Sequence, residues 1–382
     1  MRAQIGSVCL RMTGTPLTFY EFFAGGGMAR LGLGERWDCL FANDFHPMKA
    51  AAYRANFGDD HLRQGDVWDL QPHDLPGRAD LAWASSPCQD LSLAGARAGL
   101  AGGRSSAFFG FWWLMEALGQ QRRAPRAVVI ENVSGLFNSH GGRDFEAVGA
   151  ALAAAGYRFG ALEIDAAAYL PQSRSRCVIV ATLEDAHGLT APPSAASRAV
   201  REAHDRLPHH LRERWINWRL PAPPRRNLDL AALLEPDEAV AWRSDAETAA
   251  LVALMDDLHR ARLDAALAAG ERRIGAAFRR MRGDRQRTEV RFDGLAGCLR
   301  TPGGGSSRQF IVVAEAGRVR SRLLAPREAA RLMGLPESYR LPASANAALH
   351  LAGDGVVVPM VRHLAAEILE PLLSGERASA AA

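Results

Sequence analysis

The chain has 382 residues, enough for roughly two domains, and its 48% hydrophobic and 23% charged residues are ordinary for a globular protein. These proportions exclude a disordered, collagen-like or small disulfide-bonded chain, and no apolar run reaches the ~20 residues that span a bilayer. The formal charge of +4 permits an acidic partner without requiring one.

Of 46 basic residues only Lys49 is a lysine, so the arginines reflect the codon bias of a GC-rich genome and are not by themselves a sign of nucleic acid. Met1 to Thr18 lacks the continuous apolar stretch of a secretory signal, and a cytoplasmic location is expected. Five cysteines without a C-x-x-C pair predict reduced thiols, with neither a disulfide framework nor a metal site.

In chain order, Leu17 to Phe23 reads as a strand ending in Gly25-Gly26-Gly27, and a helix-compatible stretch follows. Asp38 to Asn43 is the next predicted strand and His46 to Phe57 the next helix. Further strands are predicted at Asp80 to Ser85, Ala127 to Ile130, Tyr157 to Ile164 and Cys177 to Thr182, with helices at Ser106 to Leu118 and Asp144 to Ala155. This alternation predicts an α/β fold with a mostly parallel, doubly wound sheet.

After Thr182 six prolines between Pro192 and Pro224 break any long period. Residues 198–226 carry a net charge of +5, residues 227–270 carry −6 and read as solvated amphipathic helix, and residues 271–320 carry +7 around Gly303-Gly304-Gly305. Helical character returns at Pro326 to Met333 and Pro359 to Leu373, before a tail at 376–382 expected to fray.

Several positions have side chains suited to chemistry. The glycine cluster lets backbone approach a ligand, and Asp44, at the end of the second strand, is placed to accept from ribose hydroxyls of NAD or S-adenosylmethionine alike. Asp66 beside Val67 reads equally as an adenine contact or a turn cap. Cys88, between Pro87 and Gln89, follows a strand's carboxyl end, where α/β sheets bind ligands and where a thiol whose pKa is lowered becomes a nucleophile. Glu131, with Asn132, ends a buried apolar run, so burial would raise its pKa and suit it to acid catalysis. Arg174 and Arg176, two apart, share a face if extended and can hold a phosphate or carbonyl oxygen by forked hydrogen bonds.

Singly these signals are weak, but their order is informative. From Leu17 to Leu373 the succession resembles the DNA cytosine-5 methyltransferase family. Phe23-Ala24-Gly25-Gly26-Gly27 is similar to its cofactor loop and Pro87-Cys88-Gln89-Asp90-Leu91-Ser92 to its nucleophile loop. Arg322 to Gly334 is similar to a late helix, and Gly353-Asp354-Gly355-Val356 with Pro359 to a final motif. The resemblance implies a Rossmann-like S-adenosylmethionine-dependent sheet with a smaller target-recognition domain. It assigns 15–183, completed by 340–375, to catalysis and cofactor binding, 184–320 to target recognition and 321–339 to a connecting helix.

It also implies that Cys88 attacks C6 of a flipped cytosine while Glu131 engages N3 and the exocyclic amine. Arg174 and Arg176 position the base carbonyl and the cysteine loop, and Asn132 braces that loop. Phe23, Ala24, Gly25, Gly27, Asp44, Phe45, Asp66, Val67, Pro87 and Asp354 fall at cofactor positions, with Ala107 or Phe108 lining the same pocket; Trp112 and Trp113 read as helix core. The implied partner is double-stranded DNA, bound by a monomer, with a separately acting restriction endonuclease left open.

Two departures stand out. Asp44 replaces the family's usual Glu, and Asp354 with Gly355 replaces Asn followed by Ala or Ser. A carboxylate at 354 removes an NH₂ donor and adds charge, so altered, weaker cofactor affinity is expected. Among rival readings, a transfer RNA cytosine-5 methyltransferase lacks its Cys-Phe-Thr signature here. An NAD-dependent oxidoreductase leaves Cys88 and Glu131 idle, and a silent DNA-binding relative has no need of either.

Overall fold

A computed structural model describes residues 15–86, 107–301 and 308–374. Pro87 to Ser92, including Cys88, the Gly303–Gly305 loop and the 376–382 tail lie outside the described residues. The first sheet grows from strands whose residues are apolar on both faces: β1 (Leu17–Phe22), β2 (Trp37–Asp44), β3 (Leu62–Gln64), β4 (Leu81–Ala84), β5 (Ala127–Val133), β6 (Arg158–Asp165) and β7 (Ser175–Thr182). Helices α1 (Met28–Leu33), α2 (Pro47–Phe57), α3 (Ala107–Gln120) and α4 (Arg143–Ala154) connect them. Near-continuous hydrophobic strands need cover on both sides, and period-two alternation divides the residues between two cores. Phe19, Trp83 and Val129 face one core, and Tyr20, Ala82 and Val128 the other.

Strand order is β3-β2-β1-β4-β5-β7-β6. The first five strands are parallel, but β7 runs antiparallel to β5 and β6 antiparallel to β7. The sheet is therefore mixed at one edge, where Tyr157–Ile164 and Cys177–Thr182 form a hairpin. The helix predicted from His46 begins at Pro47, because the His46 ring accepts from Met48 N at 3.2 Å as the N-cap, and it stops before Gly58, whose φ is 80°.

The acidic stretch 227–270 is not one amphipathic helix. After α5 (Arg198–Arg206) and α6 (His209–Arg212) come short 3₁₀ turns, then α7 (Asp245–Ala253) and α8 (Asp257–Ala268). Ser244 and Asp256 each cap a new start, accepting from Glu247 N and His259 N. The basic block beyond them forms a second sheet that alternation did not reveal: β8 (Arg273–Arg282), β9 (Arg285–Arg291), β10 (Gln309–Glu315) and β11 (Arg318–Leu323), antiparallel in the order β11-β10-β8-β9. Its apolar face, with Ala277, Val290, Phe310 and Val312, packs on Leu251 and Leu263 of α7 and α8.

The chain then returns to the first sheet through α9 (Pro326–Leu332), α10 (Ala345–Asp354), α11 (Val358–Leu364) and, after a π-helical turn, α12 (Glu370–Ser374). These helices complete the core over β1 and β2. No helix among the described residues is long and apolar enough to cross a membrane.

Candidate active site

In the order β2-β1-β4 the chain reverses its direction of strand addition between β1 and β4, which opens a crevice beyond their carboxyl ends. A cavity of about 510 Å³ occupies it, within the ~300–1,000 Å³ usual for small-molecule sites. One wall is the loop after β1. Phe23 adopts a left-handed φ of 56°, rare for an aromatic residue, and Gly25 follows at 57°. The bend carries Gly25 N to 2.7 Å from Asp44 Oδ2, while Asp44 Oδ1 accepts from His46 N at 2.8 Å. A Cβ at Gly25 would meet no atom within 4 Å, so this glycine answers to backbone conformation and faces open space.

Opposite stands Glu131 at the end of β5. It is 6% exposed, and Arg176 Nε lies 3.0 Å from its Oε1. Burial raises the pKa of the Glu131 carboxyl, and the positive charges of Arg176 and Arg174 oppose the rise without cancelling it. Arg174 is deeper. Its Nη1 donates to Leu299 O at 2.9 Å and its Nη2 to Gly353 O and Gly355 O at 2.9 and 2.7 Å. Burial brings its pKa down to about 10. Asn132 Nδ2 donates to Ser86 O at 3.1 Å and to Ser86 Oγ at 3.2 Å, anchoring the strand end two residues short of Cys88.

Phe23, Ala24, Gly25, Asp44, Phe45, Glu131, Arg174, Arg176 and Asp354 all reach this cavity. Phe45 lies on its rim and is 70% exposed. Others do not line it. Gly27 instead abuts helix α2, since a Cβ there would sit 2.3 Å from the Phe57 ring. Asp66 caps a 3₁₀ turn, accepting from Trp68 N at 3.0 Å, and Val67 packs in the core beside Gly110. Phe108 and Trp112 are buried core, and Ala107 and Trp113 pack against it. Pro87 and Cys88 are outside the described residues.

Two cavity residues escaped the sequence reading. Glu21, inside β1, is 1% exposed; its Oε1 accepts from Arg30 N at 3.3 Å, while Oε2 has no hydrogen-bond partner among the described residues. Burial pushes its carboxyl up to about 8. A carboxylate interrupting an otherwise apolar strand was the available signal. The other is Lys49, whose Nζ lies 2.6 Å from Asp354 Oδ2, so the charge added at 354 is opposed. Gly355 also has a local reason: a Cβ there would come within 2.2 Å of Met28 Sδ.

A family model described as C-5 cytosine-specific DNA methylase matches residues 17–370. The chain is 26% identical over 363 residues to the type II methyltransferase M.HaeII of Haemophilus aegyptius, covering 92% of each chain. It is likewise 26% identical over 364 residues to M.HhaI of Haemophilus parahaemolyticus, covering 93% of this chain and 94% of that one. Its match to M.BsuFI of Bacillus subtilis is 32% identical over 169 residues, 44% of this chain and 39% of that protein. Among solved structures the fold is similar to the S. pombe Dnmt2 methyltransferase, with a TM-score of 0.61, 18% identity and coverage of 93% and 99%. A putative DNA modification methyltransferase from an E. coli prophage gives a TM-score of 0.57 at 16% identity, covering 94% and 99%.

Proposed function

Given that the chain belongs to the C-5 cytosine-specific DNA methylase family, we propose that it methylates C5 of a cytosine in a specific double-stranded DNA sequence, with S-adenosylmethionine as donor and Cys88 as nucleophile. The observation that carries this reading is Glu131, a buried carboxyl with a raised pKa, sharing one cavity with Arg176 and with the strand end that leads into Cys88.

The residues present fit the cofactor. The cavity is large enough at about 510 Å³. Gly25 leaves space where a side chain would stand, and the unpartnered Glu21 Oε2 offers an acceptor to a cationic ligand. Asp44 uses one lone-pair site on each oxygen for backbone N–H groups and keeps acceptor capacity for hydroxyls. Phe45 offers an exposed aromatic face to a planar base. When bound, the cofactor supplies an electrophilic methyl group on a sulfonium.

The protein's own residues prepare the cytosine. C6 is inaccessible inside a duplex, so the base must be extruded into the cavity. As the Cys88 thiolate adds to C6, negative charge develops toward N3. Arg176 occupies Glu131 Oε1, which leaves Oε2 to carry the proton delivered to N3. The electron pair returned through C4 makes C5 nucleophilic. After methylation, loss of the C5 proton expels Cys88 and restores the ring. Arg174 acts by holding the 353–355 loop against the segment at Leu299.

In this reading residues 15–183 with 340–375 form the catalytic domain, 184–320 the target-recognition domain and 321–339 the connecting helix. The exposed β8–β9 turn, with Arg282, Arg285 and a 58% exposed Met281, suits contact with DNA. Incubation with tritiated S-adenosylmethionine and mixed-sequence duplex DNA should label DNA as 5-methylcytosine, and Cys88→Ser should abolish the label. Label in transfer RNA alone would overturn the DNA assignment.

A further inference from the structure

Two charges stand where their own helices disfavour them. Lys49 is in the first turn of α2, beside the positive end of that helix's dipole, where no acidic side chain is present. Asp354 is the last residue of α10, beside that helix's negative end, whose last turn holds no basic side chain. Neither position is explained by the helix that carries it. They meet across the cavity, Lys49 Nζ to Asp354 Oδ2 at 2.6 Å, with His350 Nε2 at 3.1 Å from the same oxygen.

The other long cations on the wall are committed elsewhere. Arg174 is bound to backbone carbonyls of three residues and Arg176 to Glu131. Lys49 is held only by side-chain charge, and its ammonium has three donors, so it can take a second anion while keeping the first. A purely anionic ligand would meet Asp354 as a repulsion, and a purely cationic one would meet Lys49. A group with carboxylate and ammonium side by side completes a ring of four alternating charges.

We propose that Lys49 and Asp354 form the subsite for the zwitterionic amino-acid end of the methyl donor, Lys49 binding its carboxylate and Asp354 its ammonium. This rests on the reading of the cavity as the S-adenosylmethionine site. The two are positioning residues and touch neither the cytosine nor the sulfonium methyl.

The test is calorimetric binding of the full chain to S-adenosylhomocysteine and to 5′-methylthioadenosine, which has a methyl group in place of the amino-acid arm. The wild-type chain should prefer the first. Lys49→Met and Asp354→Asn should each reduce that preference by ~10-fold or more, the scale of a lost charge-assisted hydrogen bond, with methylthioadenosine affinity little changed as proof that the variant is folded. A preference unchanged in both variants overturns the inference and leaves the cofactor reading standing. Equal loss for both compounds overturns it in favour of a structural role. A wild-type chain that binds neither compound overturns the cofactor reading, and the inference with it.

Discussion

Glu131 and Glu21 are both buried carboxyls on one cavity, yet they ask different things of pH. For Glu131 the neutral form is the working one, since it donates the proton to N3, whereas Cys88 works as the thiolate. Methyl transfer should therefore follow a bell, with the alkaline limb set by loss of the Glu131 proton. Glu131→Gln keeps the shape but cannot donate that proton, and kcat should fall by ~10²–10⁴ while S-adenosylhomocysteine affinity stays level. Single-turnover kinetics with parallel calorimetry separates the two.

For Glu21 the effect is on stability. The fold holds its proton up to about pH 8, while an unfolded chain releases it near 4.5. Between those values the native state binds more protons than the unfolded one, so stability falls as pH rises. Glu21→Gln should flatten the decline of Tm across that interval in thermal melts without ligand; an unchanged slope would put the titration elsewhere. The pattern around Glu131, Asn132, Arg174 and Arg176 was legible in the sequence because those residues follow recognisable strand ends. Glu21 and Lys49 were not, because their meaning lies in burial and in a partner some 300 positions away.

Among elements, the junction of β11 and α9 is held by one buried ion pair. Arg322 Nη2 and Nη1 donate to Glu328 Oε1 and Oε2 at 2.6 and 2.8 Å, and both side chains are essentially inaccessible. The same carboxylate accepts from Ala325 N and Glu235 N, each at 2.8 Å. Glu328→Ala leaves a buried guanidinium and two backbone donors without their acceptor, and denaturant unfolding should register a loss of about 3–5 kcal/mol.

The parallel strands were readable because both faces are apolar, which gives uninterrupted hydrophobic runs. β8 and β9 were hidden for the opposite reason. In Arg273–Arg282 the arginines fall on consecutive positions at 279 and 280, so the two-residue period is lost while the backbone still pairs residue for residue with β9. The acidic stretch misled differently: its composition suited a helix, and only Ser244 and Asp256 marked where new helices start.

Across the whole molecule, Arg174 joins three segments distant in sequence: the turn before β7, the Leu299 strand end of the second lobe, and the 353–355 loop. Arg174→Ala should loosen all three together, with faster amide exchange at each, whereas a purely local role would confine the change to the β6–β7 turn. The division into lobes was foreshadowed by prolines and charge blocks. The return of the chain to cover β1 and β2 was foreshadowed only by its helical period, since packing partners so far apart leave no local mark.

That return determines the order in which the protein becomes competent. Trp37 Nε1 donates to Glu370 Oε1 at 3.0 Å across 333 positions, and Arg126 Nη1 to Leu373 O at 2.8 Å across 247. Leu351, Gly353 and Asp354 close a cavity whose floor was laid by Glu21. At ~5–20 residues added per second, a nascent chain waits on the order of twenty seconds to a minute between the two. Throughout that interval the apolar faces of β1 and β2 await α11 and α12, so the emerging polypeptide is a natural client for chaperones and cannot retain its methyl donor.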